Sequence, residues 1–150
     1  MEQTLAIIKP DAVQRNLAGR ILARLEAEGF VVLGLKMVCL SRQDAERFYA
    51  VHRERPFFES LTAYMASGPA IPVLLQRDNA IQTLRELMGA TNPAQAAAGT
   101  IRQEFGLDVE KNALHGSDSP ASAAQEIPFF FNHLEFRERS RGSVVSRQVS

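Results

Sequence analysis

The segment 112–119, NALHGSDS, contains the side chain with the widest chemical repertoire in the chain, His115. A neutral imidazole keeps one nitrogen lone pair free near pH 7, so it can act as a base, a metal ligand or a nucleophile. We expect Gly116 to let the backbone turn sharply and leave room for a substrate. Ser117 and Glu126 are placed to orient the ring by hydrogen bonds. Spacing alone favours a histidine held by structural contacts, and the reactive roles stay open.

Phosphate chemistry is the second possibility, although no Gly-rich phosphate loop of the GxxxxGK[ST] or GxGxxG type occurs in the sequence. A phosphate site would therefore depend on side-chain cations. Lys9 ends the first predicted strand, Arg85 lies on a predicted helix, and Arg102 lies in a long segment rich in Gly, Ala and Pro. Taken singly, each of these residues is an ordinary solvated surface charge.

Composition sets the class of protein that must position these residues. The chain has 150 residues, 45% of them hydrophobic and 23% charged, which is typical of one soluble domain. The formal net charge is zero, so no global field favours a nucleic-acid or membrane partner. Cys39 is the only cysteine, and the three histidines have no zinc-site spacing. Without a membrane-length apolar stretch or a targeting pattern, we expect a cytoplasmic protein.

Apolar periodicity predicts alternating strands and helices. Strands are expected over 4–10, 30–40, 70–77 and 112–116, and helices over 18–29, from Ser41, over 57–66, 79–88 and 119–127. The segment 89–106 is expected to be a loop with short helical pieces, and the apolar segment 128–136 to dock onto the core. This order indicates an α/β or α+β sandwich whose strand order stays open. We expect a domain over 1–136 and an Arg/Ser-rich, disordered tail over 137–150.

Several motifs in this order closely resemble the nucleoside diphosphate kinase family: TLAIIKPDAV, RPFF, GATNPAQAAAGTIR, and above all NALHGSDS followed by EIPFFF. The resemblance extends from about Thr4 to Phe136, and NxxHGSDS is highly specific for the family. It implies a ferredoxin-like sandwich, a four-stranded antiparallel sheet with helices on one side. It also implies a homo-oligomer, either a tetramer or a hexamer.

The resemblance implies ping-pong transfer of the γ-phosphoryl group from a nucleoside triphosphate, typically ATP, to a nucleoside diphosphate. His115 matches the histidine that becomes phosphorylated, while Ser117 and Glu126 match the pair that orients it. Tyr49 matches a phenol close to the phosphohistidine. Phosphate-binding groups are matched by Lys9, Arg85, Arg102 and the hydroxyl of Thr91. The expected cofactor is Mg²⁺ carried by the nucleotide phosphates, without a metal site made of protein ligands.

The same resemblance implies a base slot of low specificity, for ribo- and deoxyribonucleotides alike. Phe57 matches the ring that stacks on the base, with Leu61 and Val109 lining the slot. Asn112 and Lys9 match residues that contact the ribose hydroxyls. From the residues alone, Phe57 and Leu61 are equally compatible with ordinary helix packing. We leave His52, His133 and Asp118 outside the predicted site.

Two other classes of function are compatible with the same fold. A regulatory protein that binds nucleotides or nucleic acid but has lost phosphotransfer would lack the histidine, the lysine or an arginine, and none is missing. A structural interaction module would keep these residues but have them covered by the tail. The complete set of matched residues favours the active enzyme, with no membrane or nucleic-acid partner.

Overall fold

The computed structural model describes residues 1–139, which form a four-stranded antiparallel sheet of order β2-β3-β1-β4. The elements in chain order are β1 Glu2–Ile8, α1 Pro10–Gln14, α2 Ala18–Ala27, β2 Val31–Leu35, α3 Arg42–Phe48, α4 Phe58–Met65, β3 Ile71–Arg77, α5 Ala80–Met88, α6 Ile101–Phe105, β4 Leu114–Gly116 and α7 Pro120–Phe130. Two short 3-10 helices, Ala50–His52 and Pro93–Gln95, complete the set. The predicted α+β class and the predicted loop with short helical pieces are confirmed.

Both faces of the sheet are buried, which explains why β1 is a continuous apolar run. Ala6 and Ile8 belong to the core shared with α2, α5 and α6. Leu5 and Ile7 belong to a second core shared with α3, α4 and α7. Helices therefore cover the sheet on two sides, and the expectation of helices on one side was wrong. The difference matters for function, because the site residues come from helices of both layers.

The predicted start of α3 at Ser41 is confirmed by a reciprocal cap. The hydroxyl of Ser41 accepts a hydrogen bond from Asp44 N at 3.0 Å, and the Asp44 carboxylate accepts one from Ser41 N at 3.0 Å. The predicted start of α7 is confirmed too, with Ser119 capping Ser122 N at 3.0 Å and Pro120 at the first helical position. These two caps fix where the helices that flank His115 begin.

Several elements differ from the predictions. Strand β2 ends at Leu35 rather than at residue 40, because only an isolated bridge between Val38 and Ala70 continues the pairing. Helix α1 was not predicted, since Pro10 both ends the strand and opens this short helix. Helix α7 continues through Pro128 into the apolar segment, which docks on the core through Phe130 and the C-cap residue Phe131, both buried.

The beginning of the predicted tail contacts the sheet. The carboxylate of Glu138 accepts a hydrogen bond from Gln3, and Arg139 O accepts one from Gln76 Nε2 at 2.5 Å. The guanidinium of Arg139 donates to Val32 O. The remainder of the predicted tail, 140–150, lies outside the described residues. Over 1–139, none of the helices has the length and apolar character needed to cross a membrane.

Gly116 is required by close packing. The expectation of a sharp backbone turn at this residue was wrong. The residue lies in β4, pairs with Ala6 and does not have a positive φ. A Cβ added at this position would lie 2.6 Å from Met88 Sδ and 3.0 Å from Leu84 Cδ2. The missing side chain therefore lets α5, with Arg85, approach the strand that carries His115.

We predict that Gly116→Ala lowers the free energy of unfolding by about 1–3 kcal/mol, because an extra methyl group must displace buried side chains of α5. Urea denaturation measures this change. The matched control is Gly19→Ala, where a Cβ would meet nothing within 4 Å. That helical position should be unchanged or more stable by up to about 1 kcal/mol. Equal stability of the Gly116→Ala variant and the parent would contradict the packing argument.

Candidate active site

A cavity of about 730 Å³ opens beside β4 and is lined by residues from both helical layers. It is lined by all the predicted site residues except Ser117: Lys9, Tyr49, Phe57, Leu61, Arg85, Thr91, Arg102, Val109, Asn112, His115 and Glu126. Ser117 is fully buried directly behind them. Residues that are more than 100 positions apart in sequence thus share one chamber, which the sequence alone could not show.

His115 is oriented by a short contact to α7. Its Nε2 lies 2.5 Å from Glu126 Oε1, and the Ser117 hydroxyl donates to the same oxygen at 3.3 Å. An ionised carboxylate only accepts hydrogen bonds, so we assign the ring hydrogen to Nε2. The lone pair is then on Nδ1, which has no hydrogen-bond partner among residues 1–139. The ring is 20% exposed, which suits a nucleophile reached from the cavity.

Aromatic rings pack around the imidazole. Phe48 lies 5.5 Å from the His115 ring and Tyr49 lies 6.1 Å from it, both edge-on, and Phe129 packs 5.3 Å from Phe48. Burial, together with the nearby Glu126 carboxylate, raises the pKa of the Tyr49 phenol well above its ordinary value. The Tyr49 hydroxyl has no hydrogen-bond partner in the described part of the chain. It is thus a protonated donor held near His115.

Lys9 is a buried cation with two protein acceptors. Its Nζ donates to Asn112 Oδ1 at 2.9 Å and to Glu110 O at 3.1 Å, and the residue is 6% exposed. Burial, reinforced by the Arg102 guanidinium, lowers the pKa of Lys9 to about 8, while Asp11 acts in the opposite direction. An ammonium group with such a pKa still carries its charge at neutral pH and gains from an anionic ligand.

The Asn112 side chain joins several parts of the site through hydrogen bonds. Both of its Nδ2 hydrogens are used, one on Thr91 O at 3.0 Å and one on Val109 O at 3.1 Å. Its Oδ1 accepts from Lys9, and the residue is only 1% exposed. A single acceptor lone pair on Oδ1 is left for a ligand. The side chain of Thr91, by contrast, is exposed at the cavity.

Two arginines complete the group of cations. The guanidinium of Arg102 donates to Leu114 O at 2.9 Å and Gly89 O at 3.2 Å, while its buried Nε has no partner in the described structure. Burial, with a contribution from Arg85, lowers the pKa of Arg102 to about 10, so the group stays charged at neutral pH. Arg85 lies exposed at the cavity on α5. Three neighbouring positive charges, two of them buried, form a site for a polyanion.

The backbone just before His115 is strained. Ala113 has φ of 74°, a value that non-glycine residues rarely adopt, and Leu114 N donates to Asn112 O at 2.9 Å across it. Ala113 O accepts from Lys9 N at 2.9 Å. Such strain persists only where the surrounding contacts hold it. Here the strained turn at Ala113 places Asn112 on one side and the strand that carries His115 on the other.

The outer end of the cavity is apolar. The Phe57 ring is 46% exposed and lies 5.4 Å from the His52 ring, with exposed Val109 on the same cavity. Leu61 is largely buried and contributes only an edge of its side chain. The Phe57 ring is too exposed to be an ordinary core residue, and it leaves an apolar surface open to the cavity.

Sequence reasoning left out several residues that line the cavity, among them Arg47, His52, Glu110 and Asp118. His52 follows Tyr49 by one helical turn, which was the available signal. Hydrogen bonding, first from the Ser122 hydroxyl, holds the pKa of Asp118 below its ordinary value. His133 does not line the cavity. No group of three or more His, Cys, Asp or Glu residues that could hold a metal ion is found within 1–139.

Comparisons with known proteins point to one family. The family model for nucleoside diphosphate kinase matches residues 2–136. A nucleoside diphosphate kinase from Geobacter sulfurreducens is 58% identical over 135 residues, covering 90% of this chain and 98% of that protein. One from Geotalea daltonii is 57% identical with the same coverage.

Solved structures show the same fold. The nucleoside diphosphate kinase of Aquifex aeolicus superposes with a TM-score of 0.89 at 46% identity, covering 91% of this chain and 99% of that one. The halophilic enzyme of Halobacterium salinarum, in complex with CDP, gives 0.90 at 38% identity and covers 95% of each chain. The predicted ferredoxin-like class is thereby confirmed. The chain therefore belongs to the nucleoside diphosphate kinase family, and its activity is the phosphotransfer between nucleotides that defines this family.

Proposed function

We propose that His115 carries the phosphoryl group between a nucleoside triphosphate and a nucleoside diphosphate. In the first half-reaction the Nδ1 lone pair attacks the γ-phosphorus, and the bond from that phosphorus to the bridging oxygen breaks. The diphosphate leaves with the electron pair. In the second half-reaction a β-phosphate oxygen of another diphosphate attacks the phosphorus, and Nδ1 recovers its lone pair. The observation that carries this proposal is the setting of His115: within 1–139 its Nδ1 has no hydrogen-bond partner, its Nε2 is held at 2.5 Å by Glu126, and the residue shares one cavity with three cations.

Glu126 and Ser117 act through the imidazole. Forming the nitrogen–phosphorus bond draws electron density from the ring and increases the positive charge at Nε2–H. The Glu126 carboxylate stabilises that charge and fixes the ring orientation. Ser117 holds the carboxylate by its hydrogen bond at 3.3 Å. Tyr49, a protonated phenol without a partner in the described structure, is the donor we assign to an oxygen of the transferred group.

The cations bind the charge that spreads over the phosphoryl oxygens in the transition state. Lys9, Arg85 and Arg102 lie on three different elements around the cavity, and the Thr91 hydroxyl supplies a neutral donor. Because Lys9 and Arg102 are held by protein acceptors before the nucleotide arrives, little reorganisation is needed during transfer. This preorganised set replaces the backbone cradle of a phosphate loop.

The outer end of the cavity fits the nucleoside. We assign Phe57 to stacking on the base, with Val109 and the edge of Leu61 completing the slot, and Lys9 with Asn112 to the ribose hydroxyls. Stacking is tolerant of base identity because every base has a π-face. The Halobacterium salinarum relative is described in complex with CDP, which supports a diphosphate in this cavity. The slot therefore suits purine and pyrimidine nucleotides, both ribo and deoxyribo.

The residues present fit a Mg²⁺ ion that is held mainly by the nucleotide. Asp118 and Glu110 are cavity carboxylates that would contact its hydration shell. The third cavity carboxylate, Glu126, is engaged by His115, and the other charged side chains of the lining are Lys and Arg. When bound, the ion neutralises phosphate charge and orients the oxygens. The protein groups supply the nucleophile, the orientation and the remaining positive charge.

We also propose a cytoplasmic homo-oligomer that balances nucleotide pools. Strand β2 is an edge strand of the sheet, and Leu35, Met37 and Leu134 leave apolar surface exposed near it. An exposed edge with apolar side chains favours pairing with another chain. The single cysteine, Cys39, cannot form an intrachain disulfide, which is compatible with a reducing compartment.

The phosphoenzyme is the direct test of this function. Incubation with ATP and Mg²⁺, followed by removal of nucleotide, should add one acid-labile phosphoryl group in intact-mass spectrometry. Addition of GDP alone should then remove the group and produce GTP. His115→Ala should form no phosphoenzyme, whereas His133→Ala, outside the cavity, should behave as the parent. A folded parent protein that gains no phosphoryl group would refute the proposal.

Titration of Lys9 predicts the pH dependence. The pKa of about 8 means that the free enzyme loses this cation as pH rises through that value, so kcat/KM for ATP should fall above pH 8. Bound nucleotide is anionic and favours the charged lysine, so kcat should fall only at higher pH. Initial rates across this range measure both limbs. Lys36→Met, at a lysine outside the cavity, should keep the profile. A kcat/KM that stays flat well above pH 8 would contradict the assignment.

A further inference from the structure

A second buried polar cluster lies directly behind Lys9, and the reaction described above does not use it. Its centre is Asp11, whose side chain is 3% exposed. The Tyr64 hydroxyl donates to Asp11 Oδ1 and accepts a hydrogen bond from Asp11 N at 2.9 Å. The Arg15 guanidinium donates to Asp11 Oδ2 at 3.0 Å and to Phe105 O at 2.5 Å. None of these residues lines the cavity.

The cluster connects the elements that carry the proposed nucleotide contacts. Asp11 belongs to α1, whose N-cap residue is Lys9. Tyr64 belongs to α4, which also carries Leu61 at the base slot. Phe105 is the last residue of α6, which carries Arg102. One carboxylate therefore joins the start of α1 to both walls of the cavity, and its two oxygens are both used in doing so.

We infer that Asp11 is a positioning residue for phosphotransfer, which holds Lys9, Arg102 and the base slot in one geometry through its bonds to Tyr64 and Arg15. The inference rests on the proposed role of Lys9 and Arg102 as phosphate-binding groups. Displacements of about 1 Å in such groups can cost about a hundredfold in rate, so a hub that fixes three elements has a direct kinetic effect.

Asp11 also acts on the charge of Lys9. The charged groups that face Lys9 are Arg102 from α6, Asp11 from α1, and Glu110 and Asp108 from the loop before β4. Burial and Arg102 lower the pKa of Lys9, whereas the three carboxylates raise it. Asp108 is exposed and Glu110 partly so, and water screens their fields. Asp11 is the buried carboxylate of the set, so its charge is screened least.

The experiment is a comparison of pH profiles for kcat/KM. Asp11→Asn keeps the shape of the side chain and removes its charge, so the descending limb should move to lower pH by about one unit. With a parent midpoint of about 8, the loss of charged Lys9 alone lowers kcat/KM at pH 8 by about fivefold. Glu86→Gln makes the same chemical change at an exposed residue of α5 and should leave the limb in place.

Tyr64→Phe provides the second variant, because it leaves the carboxylate but removes its anchor on α4. We expect a smaller shift of the limb in the same direction and a lower kcat, and this variant decides the question if Asp11→Asn does not fold. A limb unmoved from the parent in the folded Asp11→Asn protein, or in Tyr64→Phe should the first variant not fold, overturns the inference. A parent protein that shows no descending limb, or forms no phosphohistidine, instead counts against the proposed function.

Discussion

The contact of 2.5 Å between His115 Nε2 and Glu126 Oε1 is the constraint on which the rest of the site depends. A free imidazole can act as a nucleophile through either ring nitrogen, and this bond leaves only Nδ1 available. It requires that α7 start at the Ser119 cap and pass close to β4, and it requires Ser117 to be buried behind the carboxylate. The second core, on the α7 side of the sheet, maintains that approach through Phe130. Packing of the helical layer thus determines which nitrogen faces the phosphates.

The buried cations, in contrast, destabilise the folded state. Lys9 and Arg102 are buried, and a buried charge destabilises the folded state unless it is well paired. Both side chains bond to protein acceptors, yet the pKa of each is lowered, so each still prefers an added anion. For Lys9 the folded protein loses its proton near pH 8 and the unfolded chain near 10.5, so this residue's destabilising effect is relieved as pH rises between those values. The strained Ala113 adds to the same cost. The residues that form the proposed phosphate site therefore lower the stability of the folded protein in the absence of a ligand.

Many helices and strands could be predicted from local sequence signals, whereas the site could be predicted only from the family motifs. The caps at Ser41 and Ser119 and the apolar runs of β1 and β3 are local signals, so the sequence predicted them well. Coverage of both sheet faces, the early end of β2 and the packing role of Gly116 depend on contacts distant in sequence, and those predictions failed. His115 and the three cations were individually ambiguous, and only the family resemblance assembled them. The network of Asp11 and Tyr64 has no local pattern at all, since its partners are 53 residues apart.

The position of the phosphoryl group on the His115 ring tests the central claim most directly. Protein labelled with ¹⁵N-histidine and phosphorylated by ATP can be examined by ³¹P–¹⁵N correlated NMR under alkaline, non-denaturing conditions. The bond between Nε2 and Glu126 predicts phosphorus coupled to Nδ1, with the hydrogen remaining on Nε2. Phosphorus coupled to Nε2 would mean that the Glu126 contact does not orient the nucleophile, and the mechanism built on it would be wrong.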